Sequence, residues 1–188
     1  MNIVKKNLNV IKIINVIVIL TILVLNIIKL FIPGRGFENN IILICLIATF
    51  CFGLLYAAKG YSKDARKYYQ MYMFLASIYY LISIMMNIIK QVKSDYLSLL
   101  ISAICNIVFV ALAFSKDFGE KNSSTVIVLL IVLSIVDYFV YGFVVNNFSR
   151  VVGKVSDIAL ILVGAVFVAC KYSDKDRRYK AKEDEEKK

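Results

Sequence analysis

The chain has 188 residues, of which 60% are hydrophobic and 19% are charged, and its mean hydropathy is +0.75. This composition excludes an ordinary water-soluble domain. The formal net charge is +10, but the basic residues flank apolar segments and form no nucleic-acid-binding motif, so we expect no nucleic-acid partner. The chain contains no histidine, which excludes His-dependent catalytic triads and His-ligated metal sites.

Six apolar runs follow one another along the chain, each about as long as a helix that crosses a hydrocarbon core, roughly 20 residues. Because lipid excludes open sheets, we predict an all-α membrane protein in which residues 1–188 form a single transmembrane domain of six helices. The first run is too long for the apolar part of a signal peptide, so we interpret it as a span. The runs are Ile13–Ile32, Ile41–Ala58, Met71–Ile89, Tyr96–Phe114, Val126–Val145 and Val155–Cys170.

Three copies of a short motif lie at the ends of the second, fourth and sixth runs. Each contains two aromatic residues five positions apart, then Ser and a cluster of charged residues. Ser is a good helix cap, and an acidic residue is favourable in a helix's first turn, so we interpret the motif as a turn that begins the next cytoplasmic helix. The alternative is a cytoplasmic gate or docking surface. The residues are Tyr61, Ser62 and Asp64; Phe114, Ser115 and Asp117; and Tyr172, Ser173 and Asp176.

The spacing of the motif predicts three parallel two-helix repeats, at about residues 1–67, 68–121 and 122–170. We expect the three repeats to pack into a six-helix bundle with pseudo-threefold symmetry. Residues 171–188 form a charged cytoplasmic tail, which we expect to continue the sixth helix for a few turns.

The distribution of basic residues predicts the orientation. With the N-terminus inside, seventeen of the 23 Lys and Arg residues fall on the cytoplasmic side. The positive-inside rule therefore predicts that both termini are cytoplasmic, in the plasma membrane of a bacterial cell. We also expect contact with anionic lipid headgroups at that face, and a homo-oligomer or a membrane-protein partner stays open. The four cysteines have no metal-binding spacing, and we predict no metal and no cofactor.

Four polar residues inside the apolar runs form the candidate intramembrane site: Asp137, Asn26, Asn87 and Asn106. Asn26 and Asp137 each lie 35 residues before the second aromatic residue of their motif copy, and the sequences around Asn26 and Asn87 match. We therefore expect Asn26, Asn87 and Asp137 at one depth. Gly53 and Gly164 occupy the positions equivalent to Asn106, and we expect these small residues to allow close helix approach.

Asp137 is the strongest candidate, because a carboxylate at mid-membrane costs about 2.5–3.5 kcal/mol and normally faces the bundle interior or a wet cavity. One function is a small ion or solute transporter or channel lined by Asn26, Asn87 and Asp137. The alternative is a non-transporting assembly partner, immunity or sensing protein, or lipid-packing module, in which Asp137 is protonated or bonded to an amide. An enzyme is poorly supported, because its second carboxylate would be Asp157, which we expect at a different depth.

Overall fold

The computed structural model describes residues 2–32, 37–62, 64–89, 96–141 and 148–186, and the side chains of residues 9–32, 39–62, 64–89, 99–115, 123–139 and 151–171. These ranges contain six helices and no strand. The prediction of an all-α fold with six helices is therefore confirmed. The helices are α1 Asn2–Leu30, α2 Phe37–Ala58, α3 Arg66–Ile89, α4 Tyr96–Phe114, α5 Lys116–Tyr141 and α6 Phe148–Glu186.

Four of these helices contain a segment long and apolar enough to cross a membrane. The segments are Asn9–Leu30, Asn39–Ala58, Arg66–Ile89 and Val151–Lys171. The apolar parts of α4 and α5 are shorter, at Leu99–Phe114 and Ser123–Phe139. Apolar side chains also cover the outward surface: Ile17, Ile88 and Phe139 are all more than half exposed. A surface that exposes so many large apolar groups suits contact with lipid.

The six helices pack in chain order around a ring, and α1 closes the ring by packing against α6. In addition, α3 contacts α6 across the ring. Because the connections between packed neighbours are short, consecutive helices run antiparallel. The α1–α2, α3–α4 and α5–α6 connections therefore lie at one end of the bundle, which we call the hairpin end. The α2–α3 and α4–α5 connections lie at the other, the turn end.

Aromatic side chains fill the bundle between its centre and the turn end. Phe167 of α6 makes edge-on contacts with Tyr56, Tyr61 and Tyr72, at centroid separations of 4.9, 5.8 and 4.8 Å. The Tyr72 hydroxyl also donates a hydrogen bond of 2.7 Å to the carbonyl of Leu160, which ties α3 to α6. We call this cluster the aromatic core; it comprises Phe50, Tyr56, Tyr61, Tyr69, Tyr72 and Phe167.

Two glycines make room for aromatic rings. A Cβ atom at Gly53 would lie 3.0 Å from the ring of Tyr72, and one at Gly164 would lie 2.8 Å from the ring of Phe109. The close approach at these positions is between a helix backbone and an aromatic ring, whereas we expected it between two helices.

The three copies of the motif have different local structures. In the first copy, Gly60 and Tyr61 have positive φ angles of 67° and 60°, and the chain turns from α2 into α3. In the second copy, Ser115 alone separates α4 from α5. In the third copy, α6 continues through Tyr172 without a break.

The interpretation of the motif as a helix-starting cap thus fits only the second copy. It is wrong for the third copy, because α6 runs on to Glu186. In the first copy the predicted turn into the next helix is present, but Ser62 is not the cap of that helix, because α3 begins at Arg66, four residues later. The predicted continuation of the sixth helix into the tail is confirmed.

Candidate functional site

A cavity of about 270 Å³ lies among α2, α3, α4, α5 and α6 at the hairpin end. Its wall combines two carboxylates, one ammonium group, two amides, two serine hydroxyls and two tyrosines. Polar groups at this density are uncommon inside a membrane bundle and mark a functional site by default. The lining residues are Asn39, Ile42, Tyr79, Tyr80, Ser83, Met86, Asn87, Ile101, Ser102, Asp137, Lys154, Asp157 and Ile161.

Helix α5 supplies Asp137 to this cavity. Ser134 and Asp137, three residues apart and therefore on one helix face, are buried, whereas Ile135 and Tyr138 are exposed on the outward face. The Asp137 side chain is only 7% exposed, and its Oδ2 atom has no hydrogen-bond partner among the described residues. Lys154 of α6 interacts with Asp137 electrostatically. A ligand can donate a hydrogen bond to this Oδ2 atom, and such a bond would remove the cost of a buried oxygen without a partner.

Helix α6 supplies a second carboxylate, Asp157, to the same cavity. The hydroxyl of Tyr79 on α3 donates a hydrogen bond to Asp157 Oδ1. Lys154, one helical turn earlier on α6, and Lys29 of α1 also interact with Asp157 electrostatically. Asp157 therefore has a hydrogen-bond donor on α3 and cations on α6 and α1 that act on it.

The expectation that Asp157 and Asp137 lie too far apart in depth to share a site is wrong, because both line one cavity. The sequence-based reason against a carboxylate pair therefore no longer holds.

A stripe of polar residues on α3 forms another side of the cavity. Tyr79, Ser83 and Asn87 recur every four residues, which places them on one helix face, and all three line the cavity. Asn87 was a predicted site residue, and the structure brings it together with Asp137. Tyr79 and Ser83 were not predicted, although their four-residue spacing from Asn87 is a signal that the sequence contains.

Comparison of the chain with protein families, with curated proteins and with solved structures finds no match.

The other two predicted polar residues, Asn26 and Asn106, are not among the residues that line the cavity. Asn26 is fully buried and donates hydrogen bonds of 2.8 Å to Ser156 Oγ and to the Ile22 carbonyl. Asn106 donates a hydrogen bond of 2.6 Å to the carbonyl of Ser77. These amides connect α1 to α6 and α4 to α3, so their contacts are those of helix packing.

Tyr61 closes the aromatic core at the turn end. Its hydroxyl accepts a hydrogen bond from Asn15 at 3.2 Å and donates one to the Lys12 carbonyl at 3.3 Å. Burial raises the pKa of the Tyr61 hydroxyl, and the hydrogen bond from Asn15 acts in the opposite direction. Phe114, the equivalent aromatic of the second motif copy, is instead 70% exposed and contacts Phe74. The side chain of Tyr172 in the third copy lies outside the described residues.

Proposed function

We propose that the protein is a small membrane transporter that binds an ion or solute in the cavity at the hairpin end. The observation that carries this proposal is the state of Asp137. Its carboxylate is 7% exposed, lines a cavity of about 270 Å³ and has an oxygen without a hydrogen-bond partner among the described residues. An intramembrane carboxylate of this kind favours a role in ion or solute binding.

The aromatic core favours a transporter over an open channel. It fills the bundle between the cavity and the turn end, with Tyr72 and Phe167 fully buried. A solute enters the cavity from the hairpin end and leaves at the turn end only after the rings of the core separate. Secondary transporters open their binding site to one side of the membrane at a time.

We infer that α4 and α5 also span the membrane, and that six spans place both termini in the cytoplasm and the hairpin end outside. The bias of the basic residues supports this orientation, and anionic headgroups then face the turn end. We further infer that the three hairpins are repeats in a pseudo-threefold arrangement. The spacing of the motif supports this arrangement, whereas the α3–α6 contact and the three local structures of the motif depart from exact threefold symmetry.

The test is flux through the purified full chain in proteoliposomes under imposed proton, sodium and potassium gradients. Asp137→Asn keeps the size of the side chain and its capacity for hydrogen bonds but removes the group that can change charge. We expect this variant to assemble normally and to lose ion-coupled flux. Thr49→Val is the matched control, because Thr49 is fully buried in α2, bonds to the Cys45 carbonyl and does not line the cavity. We expect Thr49→Val to retain flux.

Unchanged flux in Asp137→Asn would assign Asp137 to packing. Absence of flux in the parent protein under every gradient would favour the alternative function: a non-transporting assembly partner, immunity or sensing protein, or lipid-packing module.

A second candidate function is acid–base catalysis, and the shared cavity of Asp137 and Asp157 favours it. Two carboxylates in different environments can act as a general acid and a general base. If the protein is such an enzyme, the lipids of the same proteoliposomes, followed by mass spectrometry, change with time in the parent but not in Asp137→Asn. A constant lipid composition would exclude catalysis on those lipids.

A further inference from the structure

We propose that the cavity binds a small organic ammonium ion, and that Asp137 accepts a hydrogen bond from its N–H group. This inference rests on the proposed function, since it names the class of solute that the site takes. It is argued from the charges, the aromatic wall and the size of the cavity.

The charges of the cavity favour a cation. Among the described residues, two carboxylates, Asp137 and Asp157, and one ammonium group, that of Lys154, line it. The other ammonium group that acts on this pair, that of Lys29, acts on Asp157 from outside the lining. Asp157 already accepts a hydrogen bond from Tyr79. Asp137 Oδ2 has no such donor among the described residues. A ligand N–H would supply the missing donor, and a charge-assisted hydrogen bond of this kind is among the stronger ones.

The aromatic wall favours an organic cation over a simple ion. Tyr79 and Tyr80 both line the cavity, with their rings 5.3 Å apart at an angle of 77°. Tyr80 is in turn stacked on Phe109, at 5.9 Å and 11°, which holds its ring in place. Aromatic faces attract ammonium groups and also cover the carbon atoms attached to them.

The ligand groups and the volume of the cavity also argue against a metal ion. Calcium takes six to eight oxygen ligands, whereas the described part of the chain contains no group of three or more Asp, Glu, Cys or His residues that could hold a metal. A cavity of about 270 Å³ is much larger than a bare ion and suits an amine of a few carbon atoms.

The test is calorimetric titration of the full chain in phosphatidylglycerol nanodiscs with propylammonium chloride, at constant ionic strength. We expect saturable binding of propylammonium and none of propanol, its neutral analogue. Asp137→Asn should weaken binding at least tenfold. Tyr80→Phe, which keeps the ring, should bind within about twofold of the parent, and Tyr80→Leu should bind about fivefold to thirtyfold more weakly.

An ammonium group can come from a free amine or from a lipid headgroup, and a second set of nanodiscs distinguishes them. If phosphatidylethanolamine in the bilayer suppresses propylammonium binding, the headgroup is the source. If binding is unaffected, a free amine is the source. Both results support recognition of an ammonium group.

Equal binding of propanol, unchanged binding in Asp137→Asn, or binding of sodium or potassium ions in place of propylammonium would each overturn the inference. Should Asp137→Asn fail to fold, equal binding by the Tyr80→Phe and Tyr80→Leu pair overturns it independently. Saturable propylammonium binding without flux of propylammonium or of any inorganic ion in proteoliposomes supports the ligand class and rejects transport. Flux of an inorganic ion without propylammonium binding rejects the ligand class and leaves transport standing.

Discussion

Asp137 and Asp157 carry the same side chain and line the same cavity, yet only Asp137 could be predicted as a site residue. Asp137 lies well inside its apolar run, whereas Asp157 is the third residue of its own run. The cost of a carboxylate in lipid is therefore evident from the sequence only for Asp137. The role of Asp157 depends on Tyr79, which is 78 residues away along the chain. Such a contact depends on how each helix is rotated about its axis, and apolar runs alone do not determine that rotation.

At the same scale, Gly164 is the described glycine that leaves the least room for a side chain. Gly164→Ala would bring a Cβ atom to 2.8 Å from the buried ring of Phe109, and overpacking of this kind costs about 1–3 kcal/mol. We therefore expect a clearly lower Tm for this variant in detergent.

The control for this substitution is Gly153→Ala, whose new Cβ atom would meet the mobile end of the Lys29 side chain at 3.2 Å. We expect its Tm to stay close to that of the parent. Equal Tm values for the two variants would contradict the packing described around Phe109.

At the scale of the elements, a single position explains why only the first copy of the motif forms a turn with positive φ angles. Gly60 precedes the second aromatic in the first copy, whereas Ala113 and Lys171 stand there in the second and third. Glycine adopts positive φ without steric cost, and Gly60 has a φ of 67°. Lys171 is compatible with helix, so α6 continues. The sequence therefore contained the reason for the long α6, but the shared aromatic and serine pattern obscured it.

The turn between α2 and α3 gives a prediction of pH dependence. Burial raises the pKa of Tyr61 above its ordinary value, which is about 10. The neutral hydroxyl is thus favoured in the folded state. Its contribution to stability is fully present below about pH 10 and is lost as the pH rises through the folded-state pKa.

The corresponding measurement is the Tm of the parent and of Tyr61→Phe between pH 8 and pH 11. The variant loses the hydrogen bonds with Asn15 and Lys12, which contribute on the order of 1 kcal/mol, so its Tm should be lower at pH 8. Its alkaline decrease should be smaller than that of the parent. Tyr68→Phe, which removes a half-buried phenol, is the control. Parallel curves of Tm against pH for the parent and Tyr61→Phe would show that the Tyr61 hydroxyl does not cause the alkaline decrease in Tm.

At the scale of the whole molecule, the helices could be predicted and their inward faces could not. Six apolar runs with short connections predict six helices with antiparallel neighbours. The contact of α3 with α6 depends instead on Tyr72, which reaches the Leu160 carbonyl, and on the space left by Gly53. The hydropathy of α3 does not distinguish Tyr72 from the other tyrosines of this helix. Only the packing therefore shows that aromatic rings close the turn end of the bundle.

The six-span topology can be tested by thiol labelling of intact cells after Cys45, Cys51, Cys105 and Cys170 are replaced by alanine. We expect a membrane-impermeant maleimide to label Phe148→Cys directly, and Ser62→Cys and Ser115→Cys only after permeabilisation. Because Ser115 lies between α4 and α5, its labelling from outside would show that these two helices do not cross. Labelling of Phe148→Cys only from inside would reverse the orientation.

In the proposed transporter, the aromatic core also determines how well the membrane stays sealed. Four edge-on ring pairs link Tyr56, Tyr61, Tyr72 and Phe167, and each such pair contributes about 0.5–1.5 kcal/mol beyond the apolar area that it buries. Separating all four would therefore cost at least about 2–6 kcal/mol, so open molecules are a small minority at any moment. A membrane could then hold many copies of the transporter while losing little of its ion gradient through them.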